Sequence, residues 1–556
     1  MRFAFCFFPV LGAVMITQNL AGQSRASTLA GRSTVYAPNG VIATSQPLAS
    51  AAGLAVLQNG GNAVDAAVTA AAVLNLVEPH MTGMGGDLFA IVWLADEQQL
   101  VGLNASGRSG SMMTQDALRS RGREQVPLFG VEPITTPGAL SGWAALLETH
   151  GTISLAQALE PTIALADEGF PVTPIIAEQW AAEVERLRGD SGAAATFLID
   201  GRAPRAGEWF RNPDLAETFR SIATRGPEVL YGGSLGAAIV DHVQARGGFL
   251  TIDDLRAHEP TWVEPMSVSF QDHRLWELPP NGQGVAALEM LRLLEGFDLR
   301  AFDHNSAAYL HHLIEAKKIA FADLERFVGD PDAMTIDAES LLADDFIDAR
   351  RAMLDPRRAV PRVEPGVAAT SSETIYLTAA DRHGNMVSFI NSIYWEFGSG
   401  VVVPGTGFAL QNRGAGFTFE PDRANTVGPN KLPFHTIIPA FVTRETARGH
   451  EPWLSFGVMG GSMQPQGHVQ VLLNLLLFGM DLQEAVDAPR FRHLNGLRVA
   501  LEEPIPDDVR AALAAMGHDV IDESGVAFGG AQAILRLERG YAAASDPRKD
   551  GLAVGH

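Results

Sequence analysis

A chain of 556 residues is long enough for several domains or for one large layered α/β unit, and 46% hydrophobic against 19% charged residues allows a sizeable core. A formal charge of −23 with no long basic run argues against nucleic acid as a partner, because such a surface repels a phosphate backbone. The single cysteine, Cys6, excludes a disulfide framework and a cysteine metal finger.

The first stretch, "MRFAFCFFPVLGAVMITQNLAGQS", places Arg2 before an apolar run and small residues near Ala21 and Gly22, the pattern of a secretory signal over 1–24. Export to the periplasm or the medium is the expectation; a start at Met15, leaving a cytoplasmic protein, is the alternative. No other segment is apolar over the roughly 20 residues that a membrane span needs. From Ala49 to Val77 an Ala-rich helical pattern is broken by Asn59-Gly60-Gly61, which predicts two buried helices joined by a turn. "TGMGGDLFAIVWL" then feeds glycines into a hydrophobic strand. Neither glycine cluster has the Lys-Ser/Thr of a phosphate loop or the full dinucleotide spacing, so close backbone packing is the reading. Mostly helical patterns follow from about 137 to 350. The segment 356–371, "PRRAVPRVEPGVAATS", lacks periodicity and reads as an exposed linker. Beyond it, strands are predicted at 374–380, 386–394, 400–403, 407–411, 437–443 and 453–457, and helices near 467–488 and 506–516. The whole reads as a layered α/β body with a cleavable joint.

Three kinds of chemistry can be weighed. His311, His312 and Glu315 in "HHLIEAKK" offer metal-type ligands, but no third ligand completes a tight local signature, so no metal and no cofactor are expected. Ser141 in "TPGALSGW" lacks the G-x-S-x-G turn of a serine hydrolase. Thr374 differs, because a small-residue approach precedes it and a strand, "TIYLTAAD", follows. A threonine hydroxyl needs an adjacent base, and a free α-amine on the same residue, with a typical pKa of about 7.7 to 8.0, can be that base. Attack of the hydroxyl on the carbonyl of Glu373, followed by water, would create the terminus. Threonine is also common at strand starts, so the residues alone leave a plain strand reading open. In "FGVMGGSMQPQGHVQVLLNLLL" a strand ends in Gly460-Gly461, Ser462 stands where it can cap, and a helix begins near Pro465. Backbone N–H groups at such a turn suit a developing oxyanion.

Taken in order, "LQNGGNAVDAAV", "TGMGGDLF", "TTPGALSGW", "LYGGSLGAAI", "LPPNGQGVAALEML", "EAKKIAFADLERFVGDP", "TIYLTAADRHGNMVSF", "VMGGSMQPQ", "EAVDAPRF" and "ASDPRKDG" resemble the γ-glutamyltransferase family of N-terminal nucleophile hydrolases, from about Gly40 to the end. The resemblance implies a four-layer αββα sandwich. It implies a precursor that cuts itself into a large subunit, 25–373, and a small subunit, 374–556, between Glu373 and Thr374. It makes Thr374 the nucleophile, Ser392 its hydroxyl neighbour, and Gly460 and Gly461 the oxyanion donors. The partners expected are the two subunits of one precursor and a small amide substrate.

This chain also departs from the family. Two Thr and a His usually stand at the new terminus, whereas here Thr374 is followed by Ile375 and Tyr376. Members specific for γ-glutamyl groups hold the α-ammonium with an Asp where this chain has Gly416. Their carboxylate Arg is replaced by Arg108, two positions further on. Their paired serines are replaced by His435 and Thr436, and Arg413 stands near Gly416. The segment from Phe417 to Asn430 is too short for a large lid. An acyl-enzyme on Thr374 is expected, taking a γ-glutamyl or related carboxylate-bearing acyl amide. Arg108, Arg413, His435 and Thr436 are the candidate substrate contacts. Glutaryl-cephalosporin acylase and oxamate-type amidohydrolase chemistry are the alternatives within the family, and a non-catalytic binding relative is the alternative outside it.

Overall fold

The computed structural model describes residues 31–361, 373–447 and 449–556. The signal-like stretch 1–24 and residues 362–372, the approach to the expected cleavage site, lie outside the described residues. Two seven-stranded antiparallel sheets form the body. The first orders its strands Leu552–Gly555, Val41–Thr44, Glu373–Ala380, Met386–Tyr394, Asp87–Leu94, Gln99–Ala105 and Thr261–Val263. The second runs Val35–Ala37, Tyr541–Ser545, Ala531–Arg536, Gly449–Val458, Ala440–Thr446, His273–Glu277 and Met266–Phe270.

Alternation along one strand shows how the layers stack. In Asp87–Leu94, Leu88, Ala90 and Val92 face the helices Pro47–Gln58, Ala63–Val77 and Ala139–His150, while Phe89, Ile91 and Trp93 face the other sheet. Both faces are covered, which is why this strand is apolar without a polar face. The second sheet turns its outer face to Gly284–Leu294 and Met463–Phe478, and Ala307–Phe327 packs behind Gly284–Leu294. The result is helix, sheet, sheet, helix, the expected αββα sandwich. Each large apolar side chain fully buried between such layers contributes roughly 1.5 to 3 kcal/mol.

The two Ala-rich helices form as expected around the Asn59-Gly60-Gly61 turn; a capping box between Asn62 and Asp65 starts the second. Helices are also found at Leu482–Asp487 and Asp507–Ala515. The reading of 137–350 as mostly helical misses Thr261–Val263, Met266–Phe270 and His273–Glu277, which extend both sheets, and the short pair Phe170–Pro171 and Trp209–Phe210. The runs 400–403 and 407–411 make only the bridge Val402↔Ala409, because Gly405 and Gly407 take positive φ and turn the chain back. Ser462 occupies the cap position of Met463–Phe478, but its hydroxyl makes no capping bond. Among the described residues no helix is long and apolar enough to cross a membrane.

Candidate active site

Thr374 lies in the strand Glu373–Ala380, centrally placed in the first sheet and fully buried. Its partner strand, Met386–Tyr394, pairs Tyr394 with Glu373 but Asn391 with Ile375, so one extra residue bulges opposite Thr374. A bulge of this kind re-aims a side chain, and here it brings Ser392 into contact: Thr374 Oγ1 donates to Ser392 Oγ at 3.3 Å. On the other side Gly86 lies so close to the Ser392 carbonyl that a β-carbon there would overlap it. That is the close backbone packing expected of "TGMGGDLF".

The second sheet supplies the facing wall. Thr378 meets Ser455 through their hydroxyls at 2.7 Å, and the ring of Tyr376 covers Gly457. Gly460 follows two residues past Val458, where that facing strand ends. Gly460 and Gly461 take φ of 110° and 56°, conformations open to glycine, and they turn the chain from the strand Gly449–Val458 into Met463–Phe478. Gln283 braces this turn. Its side-chain amide donates to the Gly461 carbonyl at 2.8 Å and to the Thr436 carbonyl at 2.5 Å.

Arg413 joins the two walls. It is fully buried; Nη1 donates to Thr436 Oγ1 at 2.8 Å and Nη2 to Ser392 Oγ at 3.3 Å. The guanidinium lies 4.2 Å over the ring of Tyr394, and its Nε has no hydrogen-bond partner. Burial lowers its pKa to about 10, against the pull of Asp87, so it remains a cation at neutral pH. Asp87 is held by His435 Nε2 at 2.9 Å, the Gly107 N–H at 2.9 Å and Gln411 Nε2 at 3.1 Å. Burial pushes its carboxyl up to about 7, while Arg413 and then the Gly107 and Gln411 donors pull it down. Burial, then Arg413, holds His435 well below the usual imidazole range.

The structure therefore brings Thr374, Ser392, Arg413 and Thr436 together, with Gly460 and Gly461 on the facing wall. His435 stands behind them, its ring against Phe89 and its Nε2 on Asp87. Arg108 is not gathered with them. Its guanidinium binds Asp330 Oδ2 and the Asn430 carbonyl, each at 3.0 Å, and it lines a separate cavity of about 310 Å³ with Asp254 and His258. Asp87, Gln283, Tyr394 and Gln411 were missed by sequence reasoning, although "TGMGGDLF", "NGQG" and "LQNR" contain three of them.

Two dismissed groups gain partners. Ser141 Oγ lies 2.8 Å from His258 Nε2, but it also donates to the Gly138 carbonyl within its own turn. His518, 207 residues from His311 and so outside any local signature, supplies a third ligand-type group beside His311 and Glu315; the three candidate ligand atoms lie within 4.8 Å of one another. Their hydrogen bonds describe a tether. His311 Nε2 donates to the Asp355 carbonyl at 2.7 Å and its Nδ1 meets His518 Nε2 at 2.8 Å. Glu315 takes Lys318 at 2.6 Å and the Val360 N–H at 3.1 Å. Lys318 thus already supplies the cation that Glu315 needs, and the group anchors 355–360. His312 is separately placed, its Nδ1 donating to the Ala308 carbonyl at 2.7 Å.

The gamma-glutamyltranspeptidase family profile matches residues 49–556. The Glutathione hydrolase-like YwrD proenzyme of Bacillus subtilis is 37% identical over 520 residues, covering 91% of this chain and 97% of that protein. The oxamate amidohydrolase proenzyme of Klebsiella pneumoniae is 34% identical, covering 93% and 98%. A crystal structure of cephalosporin acylase from Bacillus halodurans superposes with a TM-score of 0.90 at 43% identity, covering 97% of this chain and 99% of that one. With this fold and this match along its length, the chain belongs to the gamma-glutamyltranspeptidase family, as an amidohydrolase of the N-terminal nucleophile type.

Proposed function

We propose that the protein is made as a precursor that cuts itself between Glu373 and Thr374, and that it then hydrolyses or transfers a carboxylate-bearing acyl group carrying no α-amine, such as glutaryl or oxalyl. The observation that carries this reading is Arg413, a buried cation whose Nε has no hydrogen-bond partner, two hydrogen bonds from the Thr374 hydroxyl through Ser392. A buried charge without a directly paired carboxylate is costly, and an anionic substrate group would relieve it.

In processing, Thr374 Oγ1 attacks the Glu373 carbonyl carbon. The C–N bond breaks, and the hydroxyl proton passes to the leaving nitrogen, giving an ester and a free amine. Water then cleaves the ester, leaving a carboxylate on Glu373 and a hydroxyl on Thr374. In turnover the freed amine takes the hydroxyl proton as Oγ1 attacks the substrate amide, and returns it to the leaving amine. Water or another amine releases the acyl group. Ser392 holds the nucleophile, and the Gly460-Gly461 turn faces the oxyanion, where one such donor is worth roughly 3 to 4 kcal/mol.

Relatives named oxamate amidohydrolase and acylase support acyl groups of this kind, and relatives named glutathione hydrolase keep γ-glutamyl as the competing outcome. A panel of oxalyl, glutaryl and γ-glutamyl amides decides. A clear preference for γ-glutamyl would overturn the reading. The 1–24 stretch supports export, which N-terminal sequencing of periplasmic or secreted protein would test.

A further inference from the structure

Tyr394 closes the strand Met386–Tyr394 with φ at +80°, a conformation that bulky side chains rarely adopt. Among the described residues the only other aromatic side chain at positive φ is Phe397. Phe397 has an apolar reason to be there, packing against Trp180 and Phe197. Tyr394 packs its ring instead against a cation, Arg413, at 4.2 Å. Its N–H donates to Ser392 Oγ at 2.8 Å, which fixes the turn whatever side chain it carries. Asn or Gly would take this backbone with less strain, so the ring is kept at a cost, beside the nucleophile.

The far end of the ring points to a second feature. A β-carbon on Gly416 would stand 4.0 Å from Tyr394 Oη and 3.8 Å from the Phe434 carbonyl, with nothing nearer. Tyr394 therefore spans from the guanidinium to the open space beside Gly416. We propose that Tyr394 is the positioning residue for acyl-group selectivity: its ring face holds Arg413 edge-on to a substrate carboxylate, and its hydroxyl end occupies the space beside Gly416, where an amino substituent would otherwise fit. This rests on the reading of Arg413 as the carboxylate anchor. Stacking fixes the guanidinium plane and leaves its N–H edge for the ligand. An ammonium in the remaining space would meet Arg413 with no carboxylate between them.

The test compares the wild type with Tyr394→Asn, which tolerates the backbone but removes the ring, and Tyr394→Phe, which keeps the ring. The substrates are oxalyl, glutaryl and γ-glutamyl p-nitroanilides, and denaturing electrophoresis confirms that each protein is cut into two chains. For the carboxylate-bearing anilide that the wild type turns over, Tyr394→Asn should raise KM at least ten-fold, more than it lowers kcat. Tyr394→Phe should restore KM to within three-fold. An unchanged KM in Tyr394→Asn, or equal loss in the Asn and Phe variants, overturns the role of Tyr394 and leaves the acyl-group reading standing. A wild type that cleaves only the γ-glutamyl anilide overturns that reading, and the role of Tyr394 with it.

Discussion

Gly416→Asp is the perturbation that asks most directly how the site reads charge. Gly416 ends the short turn Arg413–Gly416, its φ lies outside the left-handed region, and the nearest atoms to an added β-carbon are 3.8 and 4.0 Å away. An aspartate therefore fits without moving the backbone. Its carboxylate would be added beside the hydroxyl end of Tyr394, the ring that carries the Arg413 guanidinium on its face. Opposite charges about 5 Å apart at an effective dielectric of about 20 attract by about 3 kcal/mol, roughly two decades in affinity. The substitution should weaken Arg413 as an anchor for an incoming carboxylate by up to that amount, and should give an α-ammonium a partner of similar strength. The ratio of kcat/KM for γ-glutamyl over glutaryl p-nitroanilide should thus rise by about two to four decades. Gly416→Asn, of the same size without the charge, should leave the ratio within about five-fold, since surface-neutral changes of shape alone are worth under about 1 kcal/mol here. A processed Gly416→Asp protein whose ratio stays within three-fold of wild type would refute the charge argument, as would an equal shift in Gly416→Asn.

Other substitutions test the remaining parts. Thr374→Ala should remain one chain of full length on denaturing gels, whereas Thr374→Ser, which keeps a hydroxyl, should still yield 1–373 and 374–556 at a lower rate; cleavage of the alanine variant would remove Thr374 as the processing nucleophile. Gln283→Ala leaves the buried carbonyls of Thr436 and Gly461 without their shared donor. At about 1 to 3 kcal/mol for each such loss, kcat should fall about 10- to 100-fold with a smaller change in KM, and an unaltered kcat would show that the Gly460-Gly461 turn needs no brace. Lys317 is buried against His493 and Phe321, and burial, then Arg492 and Lys318, lowers its pKa from 10.5 to about 7. A depressed base costs stability below its folded pKa and recovers it as pH rises toward the unfolded value. Lys317→Met should therefore stabilise the protein at pH 6 by on the order of 3 to 5 kcal/mol relative to wild type, and the difference should shrink by pH 10; a difference independent of pH in denaturant titrations would contradict the assigned shift.

Elements with a long, unbroken period were legible in the sequence. The helix pair around Asn59-Gly60-Gly61, the strand from Asp87 and the hairpin holding Thr374 and Ser392 are each carried by one short continuous stretch of sequence. Met266–Phe270 and His273–Glu277 were not legible, because five residues of alternating burial are too few to outweigh the helical patterns on either side. The site divides the same way. Thr374 and the Gly460-Gly461 turn have local signatures. The partners that tune them are set by how distant segments stack: Asp87 meets His435 across 348 residues, Gln283 meets Gly461 across 178, and His311 meets His518 across 207. No spacing in the chain encodes such contacts, and Arg108, which the resemblance makes a candidate contact for the substrate carboxylate, is drawn instead to Asp330 by a charge 222 residues away.

The altered flank of Thr374, Ile375 and Tyr376, separates architecture from chemistry. Ile375 packs into the helix layer, and Tyr376 packs between the sheets, its ring over Gly457 and its hydroxyl 2.7 Å from Ser388. Alternation then puts Thr374 on the same face as Tyr376, toward the second sheet and its glycine turn. The pair after Thr374 is thus part of the sandwich interior, a place where different side chains can keep the same strand position if their volume is accommodated. The departures proposed to bear on substrate lie on the facing loops instead: Arg413 and Gly416 sit beside Tyr394, Thr436 takes a hydrogen bond from Arg413, and His435 stands behind on Asp87. On the proposed function the strand keeps Thr374 in place while those loops set the acyl group it receives, so substitutions at Gly416 should move selectivity and leave cleavage before Thr374 intact.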